Sequence, residues 1–143
     1  MTRFLASQFF APQFFAHWLI FLATWTLVIK FAFPIVYDAT YGHPLGTHIY
    51  WDFWWVAHLW LAYALLRWQA YTYWLAIGVS VVEIVIIVAK FFFYLQAPNW
   101  DIWQTNWFIN KIFVLACFVV MLGYFWVRRD IYLQRGADLQ PAD

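Results

Sequence analysis

Charged residues are scarce in this chain of 143 residues. Lys, Arg, Asp and Glu make up 10% of it, whereas hydrophobic residues make up 66%. A soluble domain needs about a quarter of its residues charged to cover its surface, so this composition excludes an ordinary water-soluble domain. The formal net charge is only +1, so we expect no nucleic-acid binding. The sequence predicts an integral membrane protein whose solvent is lipid.

Cysteine and the common catalytic motifs are also nearly absent. The single cysteine, Cys117, excludes an intrachain disulfide and any cysteine-based metal cluster. The sequence contains no Gly-rich phosphate loop, no Ser-x-x-Lys pair and no His-x-x-x-His pattern. No enzyme class follows from the residues, and a non-catalytic subunit is the preferred interpretation.

Four long apolar stretches occupy most of the chain. A helix needs roughly 20 residues to cross a hydrocarbon core about 30 Å thick, and a bilayer favours helices because they satisfy their own backbone hydrogen bonds. The predicted fold class is an all-α integral membrane protein with four transmembrane helices in one domain, residues 1–143. Phe-rich residues 1–16 and the tryptophans at 100, 103 and 107 predict short interfacial helical segments. The predicted spans are 13–36, 48–68, 73–95 and 107–127, followed by a polar tail, 128–143.

The arginines predict the orientation of these spans. With four crossings, both termini and the joint near residue 70 lie on one side, and every arginine then falls on that side: Arg3, Arg67, Arg128, Arg129 and Arg135. The positive-inside rule therefore predicts cytoplasmic termini. We expect a bacterial inner membrane, either cytoplasmic or intracytoplasmic.

Ionisable residues inside the predicted spans form the first candidate site. Glu83 and His58 fall near the membrane midplane at a rise of about 1.5 Å per residue. Lys30, Lys90 and Lys111 fall in the outward third, each on a different helix. One interpretation is a polar pocket that handles a proton, an ion or a partner contact; the other is that the lysines reach the headgroups and Glu83 makes a plain interhelical hydrogen bond.

Asp38, His43, His48 and Asp52 form a second candidate site at the outer surface. His48 and Asp52 are one helical turn apart, and a loop could fold Asp38 and His43 over them. Imidazole and carboxylate groups together bind copper or zinc, although a polar loop explains the same residues.

His17 and His58 are candidate axial ligands for haem or a pigment. Their predicted depths differ by about 10 Å at the helical rise, which argues against one haem held by both. The aromatic residues, 26% of the chain, would suit a flat ring, but packing and lipid contact also use them.

These residues leave several functions open. The preferred hypothesis is a small accessory subunit of a larger energy-converting membrane complex, respiratory, photosynthetic or monooxygenase, in contact with lipid, pigment or partner helices. The alternatives are an autonomous copper or zinc protein or enzyme that uses the outer His and Asp residues, and a small homo-oligomeric transporter centred on Glu83. Bulky side chains in the spans favour the first, because self-contained membrane bundles use small residues at their helix contacts.

Overall fold

The computed structural model describes residues 2–49, 51 and 53–138, and the side chains of 11–49, 51, 53–101 and 103–134. Every regular element in this part of the chain is helical, which confirms the predicted all-α class. Three helices are long and apolar enough to cross a membrane, judged by length and composition: Ala11–Tyr41, Thr72–Gln96 and Trp103–Val127. The chain divides into two compact units, Met1–Trp68 and Gln69–Asp143.

The first candidate span continues past the predicted end near Pro34. Helix α1, Thr2–Leu27, is followed by a π-helical turn, Val28–Ala32, and by helix α2, Phe33–Tyr41. A proline ring inside an α-helix clashes with the carbonyl four residues earlier, and the wider π-helical turn directly before Pro34 relieves this clash. The helix ends instead at Gly42, whose φ of 72° is in the left-handed region that favours glycine.

Helix α3, Trp55–Arg67, is shorter than the predicted span 48–68. Its 13 residues extend about 20 Å, less than a hydrocarbon core of about 30 Å. Before α3, the ring of Trp51 contacts that of Phe31 in the π-helical turn, with ring centroids 5.8 Å apart. Helix α3 itself packs against α1. The buried side chains of the two helices include Ala16, Leu19, Leu22 and Ala23 of α1, and Leu61, Ala62, Ala64 and Leu65 of α3.

The second unit is a pair of long helices followed by a short one. Helix α4, Thr72–Gln96, agrees closely with the predicted span 73–95. Helix α5, Ile102–Val127, begins five residues before the predicted span because the Asp101 carboxylate caps it, accepting from the Gln104 N–H at 2.7 Å. Trp103 and Trp107 therefore lie on α5, where a separate interfacial helix was predicted. The predicted tail contains helix α6, Arg129–Asp138.

Aromatic and aliphatic side chains form the core between α4 and α5. Phe91 of α4 packs on Phe108 of α5 with ring centroids 4.6 Å apart. Further along α5, Phe125 is fully buried and contacts Tyr132 of α6, with ring centroids 4.9 Å apart. This contact holds the start of α6 against the end of α5.

Candidate functional site

The Asp38 carboxylate is the centre of the best-defined polar cluster in the first unit. Its side chain is 0% exposed. One oxygen, Oδ2, accepts from the backbone N–H groups of Gly46 at 2.9 Å and His48 at 3.4 Å. The other, Oδ1, lies 2.5 Å from Nδ1 of His48. A buried carboxylate needs such donors, and here all of them come from one short loop.

The loop reaches Asp38 because two glycines turn the backbone. Gly42 and Gly46 have φ values of 72° and 93°. The backbone N–H groups of Gly42 and His43 both donate to the Asp38 carbonyl, the latter at 2.9 Å. The backbone and side chain of Asp38 thus organise residues 42–48 around the end of α2.

Tyr37 of α2 packs against both histidines of this loop. Tyr37 stacks on His43 at 6.1 Å and meets His48 edge-on at 5.4 Å. The His43 and His48 ring centroids lie 5.4 Å apart. The two imidazoles are therefore neighbours, with ring planes at 70° to each other.

Chemically, Asp38 and His48 form a carboxylate–imidazole pair. A carboxylate only accepts hydrogen bonds, so Nδ1 of His48 carries the proton and Nε2 is the nitrogen with basic or metal-binding character. Histidine ligands of metals have the same support from a carboxylate behind them. The His48 side chain is 37% exposed, which gives solvent access to the ring.

The predicted metal set is only partly assembled. The structure brings Asp38, His43 and His48 together, whereas Asp52 lies outside the described residues. Among the residues that were described, no group of three or more His, Cys, Asp or Glu side chains could hold a metal ion. The copper or zinc site therefore stays a prediction that rests on two imidazoles.

A buried ion pair is the main polar feature of the second unit. Nζ of Lys111 lies 3.5 Å from Oε1 of Glu83, with side chains 16% and 1% exposed. One turn earlier on α4, the buried Ser80 hydroxyl donates to the Ala76 carbonyl at 2.6 Å. Of the three lysines predicted in the outward third of the membrane, Lys111 forms an ion pair with Glu83 within the second unit.

The other two lysines are placed differently. Lys90 is exposed on α4, and no ion pair to it occurs in the described part of the chain. Lys90 and Glu83 are seven residues apart and therefore lie on one face of α4. Glu83 is buried on that face, whereas Lys90 is exposed. Lys30 is half-buried in the π-helical turn of the first unit.

The two candidate haem or pigment ligands also differ in burial. His17 is exposed, and its Nδ1 lies 2.7 Å from the Gln13 carbonyl, one turn earlier on α1. His58 is 5% exposed on α3 and belongs to the interior of the first unit. For both residues the haem or pigment role stays a prediction.

Two contacts were not predicted from the sequence. The pairing of Asp38 with His48 joins residues ten positions apart across the loop 42–48, and its sequence signal is the two glycines between them. The pairing of Glu83 with Lys111 depends on the register of α4 and α5, for which the sequence has no comparable signal.

The described residues thus define an all-helical chain with membrane-helix features and two separate polar clusters. No family model, no curated protein and no solved structure matches the chain.

Proposed function

We propose that the chain is a small accessory subunit of a larger membrane complex, which it stabilises through contacts with partner helices, lipid or pigment. The observation that supports this proposal is how little of each candidate span the chain itself covers. Only 22%, 28% and 22% of the most apolar windows of the three spans is buried. Many of the uncovered side chains are large, including Trp25, Val85, Phe92 and Val120.

The exposed Lys90 favours a protein neighbour as part of this cover. It lies six residues before the end of α4, about 9 Å inside the helix end. A charge at such a depth costs free energy unless it reaches the interface or meets an opposite charge. A carboxylate from a partner helix would supply that charge. The energy-converting context of the complex is proposed from the aromatic content of the chain, 26%.

Four crossings with cytoplasmic termini, in a bacterial inner membrane, form the topological part of the proposal. Its support is the contact of Trp51 with Phe31 and the packing of α3 against α1, which together carry the chain back along the first helix. Residues 42–67 would then make one crossing. Trp51 and Phe53 before α3 are exposed in the chain itself, and irregular backbone is tolerated at membrane depth only where protein covers it, so this crossing needs a partner subunit as its cover.

The subunit role is tested by purifying the full chain from its native membrane in mild detergent through a C-terminal tag. We expect a large stoichiometric complex by mass spectrometry, and absorption and metal analysis of the same peak would identify its cofactors. A small homogeneous particle without other polypeptides would contradict the proposal.

A photo-crosslinking amino acid makes the test local. Placed at Val85, which is 60% exposed on α4, it should form an adduct with a second polypeptide. The matched control is Ile87 on the same helix, which is 0% exposed and should form none. Adducts with lipid alone at Val85 would contradict a protein neighbour on this face.

The neighbouring imidazoles of His43 and His48, with ring centroids 5.4 Å apart, are the observation behind a second candidate function, an autonomous copper or zinc protein or enzyme. Under this candidate, the purified chain binds copper or zinc added alone, His48→Gln loses the metal, and His17→Gln keeps it because His17 bonds to its own helix. A metal-free chain in the presence of either ion would reject this candidate.

A further inference from the structure

Lys90 is an exposed charge within the candidate span Thr72–Gln96. The same helix, α4, also carries Glu83, and the two charges have different surroundings. Glu83 is 1% exposed and pairs with Lys111 of α5 at 3.5 Å, whereas Lys90 has no ion pair in the described part of the chain. A charge inside an apolar span normally faces an opposite charge or a cavity. The counter-charge of Lys90 must therefore come from outside the described residues.

The direction of the Lys90 side chain opposes a contact with the lipid headgroups. The nearer end of α4 is its C-terminal end at Gln96, six residues away. In a helix, each Cα–Cβ bond tilts toward the N-terminus, so the lysine stem starts in the direction away from that end. Phe93 and Tyr94, three and four residues later, occupy the helix surface that the stem would have to cross on its way back. A counter-charge at the depth of Lys90 itself therefore fits better than a headgroup phosphate.

A stripe of apolar side chains runs along α4 beside Lys90. At intervals of four, three and four residues, its members are Val82, Ile86, Ala89 and Phe93. At about 100° per residue, all of them lie within about 40° of Val82 around the helix. Val82 and Phe93 are 42% and 70% exposed, and Ala89 is also exposed. The chain itself thus leaves most of this stripe uncovered.

This pattern is the one by which a helix packs along another helix. The contact residues of two such helices repeat at alternating intervals of three and four, and charges directly beside them pair across the contact and set the choice of partner. Lys90 has this flanking position, because it follows Ile86 by one turn and Ala89 by one residue. It lies on the border between the stripe and the face of α4 that carries the buried Glu83.

We propose that the stripe on α4 binds a transmembrane helix of a partner subunit that carries an Asp or Glu residue, whose carboxylate pairs with Lys90. This inference rests on the proposed subunit role, and it adds the chemistry of the partner and the face that the partner contacts. An ammonium group donates hydrogen bonds and accepts none, so a carboxylate satisfies it and a second basic residue is rejected. A purely apolar partner helix would leave the charge buried and unpaired.

Three substitutions of Lys90 test the charge requirement in the complex purified through a C-terminal tag. The measurement is the ratio of complexed to free chain in size-exclusion chromatography. Lys90→Met should lower this ratio about thirtyfold or more, because removing one partner of a buried charge pair leaves the other unpaired. Lys90→Glu should lower it further through repulsion between like charges, and Lys90→Arg should retain most of the complex. Circular dichroism of the free chain checks that each variant folds.

Photo-crosslinking identifies the partner on the stripe. Benzoylphenylalanine at Phe93 replaces one exposed aromatic ring by another. The matched control is Phe92, which is 63% exposed but lies about 100° from Phe93 around the helix. The adduct at Phe93 should map to an apolar segment of another polypeptide that contains an Asp or Glu. The control at Phe92 should not give this peptide.

The possible outcomes separate this inference from the subunit role. An unaltered chain that purifies as a small particle without other polypeptides would reject both. A large complex that Lys90→Met and Lys90→Glu leave unchanged would overturn the acidic partner helix and keep the subunit role. Adducts at Phe93 with lipid alone, or with a segment that lacks Asp and Glu, would overturn it in the same way.

Discussion

The ion pair between Glu83 and Lys111 is a buried contact whose loss should lower the stability of the chain. Lys111→Met should lower the free energy of unfolding by about 1–3 kcal/mol, because one oxygen of the buried Glu83 carboxylate loses its ammonium donor. Glu83 is 1% exposed, so solvent does not replace the lost contact. The measurement is unfolding in detergent followed by circular dichroism.

Lys90→Met is the matched control for that change. Lys90 is exposed and has no ion pair in the described part of α4 and its surroundings, so its removal should alter stability by less than about 0.5 kcal/mol. Equal effects of the two substitutions would show that the pair contributes nothing. In a transporter centred on Glu83, Glu83→Gln would in addition abolish transport at equal expression.

Asp38 and His48 should behave as one unit. Asp38→Asn removes the charge that orients the ring, and His48→Gln removes the ring, so each should lower the Tm of the chain. Because both remove the same contact, the double variant should lose clearly less than the sum of the two. Additive losses of Tm in this double-mutant cycle would show that Asp38 and His48 are not coupled.

The long helices were predictable because composition alone fixes them. Residues 73–95 and the end of α5 at Val127 follow from apolar runs closed by polar residues. The start of α3 was not, because Trp51, Phe53 and Trp55 look alike in hydropathy although only Trp55 is helical. The predicted helix end near Pro34 was also wrong, because a π-helical turn before Pro34 lets the helix continue to Tyr41. A local sequence pattern does not show where such a turn will form.

Three of the four residues predicted for the outer site lie together in the structure, Asp52 lies outside the described residues, and the metal role of the group stays a prediction. Asp38, His43 and His48 were grouped from their types and positions. That Asp38 lies in a helix and is fully buried, with His48 as its partner, depends on two left-handed glycines closing a loop. How this loop folds back onto Asp38 depends on the three-dimensional path of the chain, which residue types alone do not predict.

Gly42 and Gly78 should respond to alanine with opposite signs. Gly42 ends α2 at a φ of 72°, where a Cβ costs about 1–2 kcal/mol, so Gly42→Ala should destabilise the chain. Gly78 lies inside α4 with nothing within 4 Å of an added Cβ, so Gly78→Ala should stabilise it by about 0.5–1 kcal/mol. Thermal unfolding of both variants in the same detergent measures the difference. Shifts of the same sign would contradict the assigned backbone conformations.

At the scale of the whole chain, the property that labelling can measure is the number of membrane crossings. If residues 42–67 cross the membrane, Ala70 returns to the side of the N-terminus; if α3 only re-enters, Ala70 stays on the side of Leu45. The arginine distribution favours crossing, because Arg67 then joins Arg3 and Arg128 on one side. The two cases differ in the side on which Ala70, Asn99 and the C-terminus lie.

Single cysteines at Leu45, Ala70 and Asn99 decide between them, in a chain whose native Cys117 is replaced by Ser. Leu45 is 71% exposed and Asn99 is exposed, so an impermeant maleimide should label both in intact bacterial cells. Ala70→Cys should be labelled only after permeabilisation, which also controls for reactivity. Labelling of Leu45→Cys and Ala70→Cys but not of Asn99→Cys in intact cells would leave three crossings and place the two termini on opposite sides of the membrane.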